Sequence, residues 1–203
     1  MTVRIGCLAW GSLLWDPRTL PLAESFRPDG PALPIEFSRV ALDGRVTLVV
    51  DPEAEPSASW WATLAVGSLA EAVAELARRE GVSPDRVGDW IGAEPRGGGD
   101  GASGQTPGPV RATIAAWLAA KPLDAVVWTA LPARRPDGRF ERPGGPELVE
   151  HLARLEGPAR ERAEQYIRLA PERLRTPNRL RFEAVFGWSP GPWPAAIRPA
   201  GGR

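Results

Sequence analysis

The pattern of apolar and polar residues predicts an early run of β-strands. Strands are predicted at 3–10, 34–41, 45–50 and 60–66. The second alternates with the period of a half-buried strand, and the turn signal Asp43-Gly44 joins it to the third as a hairpin. The first is apolar throughout but breaks at Gly11-Ser12 before apolar residues resume. That break is either a plain turn or a place where backbone N–H groups face a ligand.

A helical period follows the strands. Residues 68–80 (SLAEAVAELARRE) give the clearest helix, with Ser68 and Glu71 at capping-box spacing and Gly81 as a C-terminal stop. Further helices are predicted at 113–121, 147–156, 159–170 and 176–188, with a buried strand at 123–131. Glycine and proline fill 94–109, which predicts a flexible loop there.

These elements indicate an α+β fold, a mainly antiparallel small β-barrel or sheet flanked by α-helices. We expect a single domain over residues 1–188 and an irregular Pro/Gly-rich tail over 189–203. No G-x-G-x-x-G follows a strand, which argues against a dinucleotide-binding fold.

Charge and composition exclude several classes of protein. Lys plus Arg and Asp plus Glu number 25 each, so no net charge favours nucleic acid or an acidic membrane. Neither a signal peptide nor an apolar run of about 20 residues occurs, and we expect a cytoplasmic protein with no membrane partner. The oligomeric state stays open.

The chain has few residues for histidine or cysteine chemistry. His151 is the one histidine, in a charged helical segment, and Cys7 is the one cysteine, between apolar neighbours of the first strand. We expect a helix-surface role for His151 and core packing for Cys7. A multi-histidine metal site or an internal disulfide is excluded, so catalysis would use carboxylates, backbone amides or arginines.

Glu80 stands at the end of its helix, where the partial negative charge of the helix dipole favours Lys or Arg. Two interpretations follow. The residue is an exposed glutamate at a fraying helix end, or it is a carboxylate placed to act as a general base.

Two segments together resemble a known family. WGSL at 10–13, within AWGSLLWDP, and the helix-terminal EGV at 80–82 resemble the γ-glutamylcyclotransferase-like superfamily, in particular its ChaC-like branch. The chain looks like a divergent bacterial member with WGSL in place of YGSL. DGRVTLVV, WWATLAV and LDAVVWTAL fall in the order of that family's barrel strands.

The resemblance implies an intramolecular reaction. The α-amine of a γ-glutamyl compound attacks its own γ-carbonyl, giving 5-oxoproline and a free amine or amino acid. Glu80 would be the catalytic acid/base, and Trp10, Gly11, Ser12, Leu13 and Trp90 would bind the substrate. The implied partner is a small γ-glutamyl compound such as glutathione, with no cofactor and no metal.

Differences from the family pattern leave two other hypotheses open. Trp10 and Trp90 stand where the family has tyrosines, so the chain is alternatively an inactive small-molecule-binding module on the same fold. A partner-binding protein whose Gly-rich loop orders on contact is a third reading. The arginines and Asn178 within 171–182 indicate a solvated helix face, although Arg179 or Arg181 could reach a substrate carboxylate.

Overall fold

Seven strands run through residues 3–99 and 104–192, the part of the chain that the computed structural model describes. They are Ile5–Ala9 (β1), Leu33–Val40 (β2), Val46–Val50 (β3), Pro56–Ser57 (β4), Trp60–Thr63 (β5), Ile91–Pro95 (β6) and Ala125–Thr129 (β7). A four-stranded sheet has the order β5-β1-β7-β6, and a three-stranded sheet has the order β3-β2-β4.

The central strand β1 determines where the first loop emerges. All five of its residues are buried, and it pairs antiparallel with β5 and parallel with β7. Parallel neighbours have their carboxyl ends at the same edge of a sheet. The segments that follow β1 and β7 therefore leave the sheet side by side.

A β-bulge interrupts the smaller sheet. Phe37 pairs with Leu48 but Arg39 pairs with Thr47, so β2 contains one extra residue at Ser38. Regular alternation would put Arg39 on the same side as Phe37, which is fully buried. Bulges redirect side chains in this way. The arginine is thereby kept out of the core.

Six helices and two short 3₁₀ turns complete the described residues. The helices are Leu69–Glu80 (α1), Val87–Trp90 (α2), Gly108–Ala119 (α3), Gly145–Ala153 (α4), Gly157–Leu169 (α5) and Pro177–Phe186 (α6), and the turns are Ser12–Leu14 and Pro84–Arg86. None of the described helices has the length and apolar character needed to cross a bilayer.

The prediction for α1 is confirmed at both ends. The Ser68 hydroxyl accepts a hydrogen bond from the Glu71 amide at 3.1 Å, and the Glu71 carboxylate accepts one from the Gly67 amide at 2.8 Å. Gly81 ends the helix with a φ of 66°, a left-handed conformation that glycine adopts without steric cost. The helix therefore ends with Glu80 as its last residue.

The α+β class is also confirmed, and of the two expected arrangements, a barrel or a sheet, the described strands form sheets. Over residues 3–99 and 104–192 the strands form two sheets and no closed barrel, and the larger sheet is mixed because β1 and β7 run parallel. Strand β6 was not predicted. Its last two residues, Glu94 and Pro95, lie in the tract assigned to a loop, and all five of its residues pair with β7. Of that tract, residues 100–103 lie outside the described residues, as do 193–203 of the tail.

Helix α6 is attached to the core through polar residues, so a solvated face is the wrong description for Asn178 and Arg179. Asn178 is 5% exposed and donates to the Phe37 carbonyl at 3.0 Å. The buried Glu36 carboxylate accepts hydrogen bonds from the Thr176 hydroxyl and from the backbone N–H of Asn178. Arg179 is fully buried. These contacts tie α6 to β2.

Candidate functional site

A cavity of about 390 Å³ opens where the loop after β1 meets the end of α1. Cavities of roughly 300–1,000 Å³ are typical of small-molecule sites. The six residues singled out in the sequence all line it: Trp10, Gly11, Ser12, Leu13, Glu80 and Trp90. The lining also includes Arg18, Arg39, Asp43, Arg45, Arg79 and Tyr166. The sequence alone did not select these latter residues for the site.

The loop after β1 is both a turn and a source of free amides. Leu14 donates to the Gly11 carbonyl at 3.0 Å, which closes the 3₁₀ turn. The first N–H groups of a helical turn have no partner within it. The amides of Ser12 and Leu13 accordingly donate to no group among the described residues. Both residues line the cavity.

Arg79 connects this loop to Glu80. The guanidinium donates from Nη1 to Glu80 Oε1 at 2.7 Å and from Nη2 to Ser12 Oγ at 3.1 Å and to the Asp16 carbonyl. Its side chain is only 4% exposed. Glu80 Oε2 accepts no hydrogen bond from the described residues. One carboxylate oxygen is therefore fixed and the other is open.

The spacing of the buried residues in α1 predicts that Arg79 is buried. Ala72 and Leu76 mark the buried face of the helix, and Arg79 follows Leu76 at a spacing of three residues. Residues three or four apart lie on the same face of a helix. A charged residue at such a position is buried and needs polar partners. The Glu80 carboxylate and the loop after β1 supply them.

Aromatic residues form two sides of the cavity. Trp10 is 3% exposed and continues the buried strand β1. Trp90 is half-buried, with the guanidinium groups of Arg39 and Arg86 each 5.7 Å from a ring centroid of its indole. The Phe140 ring meets it edge-on at 6.1 Å. Neither position presents a hydroxyl, because an indole has only an N–H donor.

Tyr166 of α5 brings a hydroxyl to the cavity from a distant part of the chain. Its oxygen accepts a hydrogen bond from the Leu48 amide at 3.3 Å. Trp15 packs against the ring edge-on at 5.2 Å. Burial raises the pKa of the Tyr166 phenol to about 12, with the Glu80 charge acting in the same direction. The group is therefore a neutral hydrogen-bond donor at neutral pH.

Three of the four arginines that line the cavity have a carboxylate partner. Arg18 pairs with Asp16 at 3.2 Å, Arg45 with Asp43 at 2.7 Å, and Arg79 with Glu80. The Arg39 side chain has no carboxylate partner among the described residues, and its hydrogen bond goes to the Pro132 carbonyl at 2.7 Å. Two lining carboxylates, Asp43 and Glu80, face four lining arginines. The cavity has an excess of positive charge.

Other candidates from the sequence lie elsewhere. Arg179 and Arg181 do not line the cavity, so neither is placed to meet a substrate carboxylate there. His151 is half-buried and its Nε2 lies 2.7 Å from the Gly44 carbonyl. Core packing of Cys7 is confirmed, since the residue is fully buried. Burial, and next the Glu80 charge, raise the pKa of its thiol to about 12.

Gly11 is required by the approach of Tyr166. A Cβ at Gly11 would lie 2.6 Å from the Tyr166 hydroxyl but 3.7 Å from the ring carbon that carries it. We expect Gly11→Ala to lower the free energy of unfolding by about 2 kcal/mol, because edge-on contacts with Trp15 and Phe37 hold the ring in place. Tyr166→Phe alone costs about 1 kcal/mol, since the Leu48 amide loses its acceptor.

The double variant distinguishes this contact from a general loss of stability. Tyr166→Phe removes the clashing oxygen, so the two changes together should cost at least about 1 kcal/mol less than their sum. Urea denaturation of the four proteins measures this difference. Strict additivity would show that the hydroxyl does not press on Gly11.

Comparisons with known proteins add no family assignment. No protein-family model matches the chain, and the search of curated proteins finds no match. Within residues 3–99 and 104–192 no group of three His, Cys, Asp or Glu side chains is placed to hold a metal ion.

Proposed function

We propose that the chain is a γ-glutamylcyclotransferase-like enzyme that cleaves a γ-glutamyl amide by intramolecular cyclisation. The observation that carries this proposal is the meeting of Glu80 and the loop 10–13 at one cavity, with the Arg79 guanidinium between them. These are the two segments on which the family resemblance depends. They are about 70 residues apart in the sequence, and the buried Arg79 side chain hydrogen-bonds to both.

The reaction needs a folded substrate before it needs a strong nucleophile. The attacking nitrogen and the γ-carbonyl belong to one molecule, so a cavity that holds the glutamyl chain bent removes much of the entropic barrier. Trp10, Leu13 and Trp90 are the apolar walls for that purpose. No protein nucleophile is required, consistent with the protonated and buried state of Cys7.

Glu80 moves the proton. Its open oxygen, Oε2, takes a proton from the substrate α-ammonium, and the freed amine attacks the γ-carbonyl carbon. The new C–N bond closes the five-membered ring while the old amide C–N bond breaks. Glu80 then gives this proton to the departing nitrogen and carries the second proton lost by the ring nitrogen to it as well. The leaving group departs as an ammonium, and the carboxylate is regenerated. Arg79 holds Oε1 and fixes the direction of the carboxylate.

The amides of Ser12 and Leu13 and the Tyr166 hydroxyl stabilise the oxyanion formed on the γ-carbonyl. Preorganised donors of this kind commonly contribute the largest electrostatic effect in acyl transfer. Gly11 lets the backbone come close because it has no Cβ. Tyr166 thus provides the hydroxyl that Trp10 and Trp90 do not.

Release of 5-oxoproline tests the proposal. Purified protein is incubated with a panel of γ-glutamyl amino acids and γ-glutamyl amines, and 5-oxoproline is measured by mass spectrometry. We expect release from at least one member at a rate proportional to enzyme concentration. Absence of release across the panel would overturn the proposal.

A second function is favoured by one observation. Both family tyrosines are tryptophans, which suits a module that binds a small anionic molecule without converting it. Calorimetry on the same panel separates the two functions. Tight binding without 5-oxoproline favours the binding module, whereas turnover excludes it.

A further inference from the structure

Arg39 differs from the other cations of the cavity because its charge is not neutralised within the described residues. Its one hydrogen bond within the described residues is to the Pro132 carbonyl, so Nε and Nη2 have no acceptor there, and neither nitrogen is fully buried. By contrast, Arg18, Arg45 and Arg79 each contact a carboxylate. A half-buried cation with free donors in a cavity is a place for an anion.

The surroundings of Arg39 strengthen this electrostatic preference. Burial, and next the charge of Arg134, lower the pKa of the Arg39 guanidinium to about 10, so it remains charged at neutral pH. Arg134 is the neighbouring residue across a parallel bridge, and its guanidinium donates to the Val40 carbonyl rather than to an acid. Two adjacent cations lacking a carboxylate favour a bound anion.

Arg39 is also held in place. The bulge in β2 directs it away from the core, the Pro132 carbonyl accepts from Nη1, and the Trp90 ring lies under the guanidinium at 5.7 Å. A cation above an aromatic face is stabilised by the ring quadrupole. The donors are therefore preorganised rather than free to swing into solvent.

The presence of Glu80 in the same cavity indicates which anion Arg39 would bind. Glu80 and Arg39 both line the cavity and influence each other electrostatically, yet they form no ion pair. An α-amino acid group carries its ammonium and its carboxylate on one carbon. A carboxylate and an arginine that line one cavity without pairing with each other match those two charges.

We propose that Arg39 binds the α-carboxylate of the glutamyl group and so selects substrates in which that carboxylate is free. This inference rests on the proposed function for its choice of ligand, and it deepens that function by assigning specificity to a residue outside the family signature. Arg39 binds and orients the glutamyl head while Glu80 handles the ammonium proton.

Equilibrium binding tests the assignment without requiring turnover. L-glutamate and L-isoglutamine, in which the α-carboxylate is a carboxamide, are titrated into the wild type and Arg39→Met by calorimetry. We expect the wild type to bind L-glutamate at least about tenfold more tightly, and Arg39→Met to bind both ligands alike. Arg39→Lys, which keeps the charge but loses the planar fork, should retain part of the preference.

Arg27→Met is the matched control. Arg27 also lies over a tryptophan ring, 5.1 Å from the centroid of Trp61, and it pairs with Glu24, but it does not line the cavity. Its loss should leave the preference for L-glutamate unchanged. Thermal melts of all variants confirm that each is folded during the titration.

Kinetics separates failure of this inference from failure of the proposed function. With γ-L-glutamyl-L-alanine and its α-carboxamide analogue, Arg39→Met should lower kcat/KM about 100-fold for the carboxylate substrate and little for the analogue. If the wild type turns over substrate but does not distinguish the α-carboxylate from the α-carboxamide in either assay, the role of Arg39 is overturned and the proposed reaction stands. Discrimination in calorimetry without turnover overturns the proposed reaction and leaves Arg39 as the carboxylate-binding residue.

Discussion

Replacing Glu80 with glutamine is expected to lower kcat for 5-oxoproline release by about 10³-fold, with little change in KM. The amide cannot take a proton from the substrate ammonium, so attack on the γ-carbonyl stops at the first step. Its carbonyl oxygen can still accept from Arg79 Nη1, as Oε1 does at 2.7 Å in the wild type. The cavity should therefore persist, and ligand binding should survive the loss of rate.

Glu75→Gln provides the control for this change. Glu75 lies on the same helix and pairs with Arg78, but it does not line the cavity. We expect its turnover to match the wild type. Equal turnover by Glu80→Gln and the wild type would remove Glu80 from the acid/base role, and the reaction would need another proton carrier. Melting curves of both variants ensure that rate differences are not losses of fold.

Features set by neighbouring residues were the ones that the sequence predicted well. The capping residue Ser68, the stop at Gly81 and the resulting end of α1 at Glu80 follow from local backbone chemistry. The break at Gly11-Ser12 follows from an apolar strand meeting two small residues. These local features were sufficient to predict the two parts of the candidate site, the loop 10–13 and the helix end at Glu80.

Features set by long-range pairing were missed. β6 is a strand because its residues pair with β7, and nothing in IGAEP itself distinguishes it from a loop. The two sheets do not close into a barrel because β5 and β6 remain edge strands without a shared partner. Strand pairing depends on tertiary context more than helix formation does.

The cavity residues that the sequence did not predict have a similar explanation. Arg39 reaches it because a bulge shifts the alternation of β2, and a bulge leaves no fixed mark in a sequence. Tyr166 comes from a helix more than 150 residues after the loop that it meets. Arg79 is the exception, since its spacing from Leu76 already indicates a buried face.

Arg179 shows how an arginine in a basic segment can serve the scaffold instead of a ligand. Its Nη1 donates to the carbonyls of Pro171 and Leu174 at 2.7 and 3.4 Å. Its Nη2 donates to those of Ala170 and Ile167 at 2.9 and 3.3 Å. The last carbonyls of a helix lack intrahelical donors. One buried guanidinium thus closes the end of α5 and holds the loop that leads to α6.

Arg179→Met is accordingly expected to lower the free energy of unfolding by about 4 kcal/mol, because four carbonyls and the Glu183 carboxylate lose a buried charged partner. For a domain of this size that corresponds to a fall in Tm of roughly 10 °C. Arg179→Lys, with one ammonium in place of a planar fork, should lose about half as much. Arg173→Met, which changes an exposed side chain in the loop before α6, should stay within about 0.5 kcal/mol of the wild type. Wild-type stability in Arg179→Met would mean that water can replace the guanidinium at the end of α5.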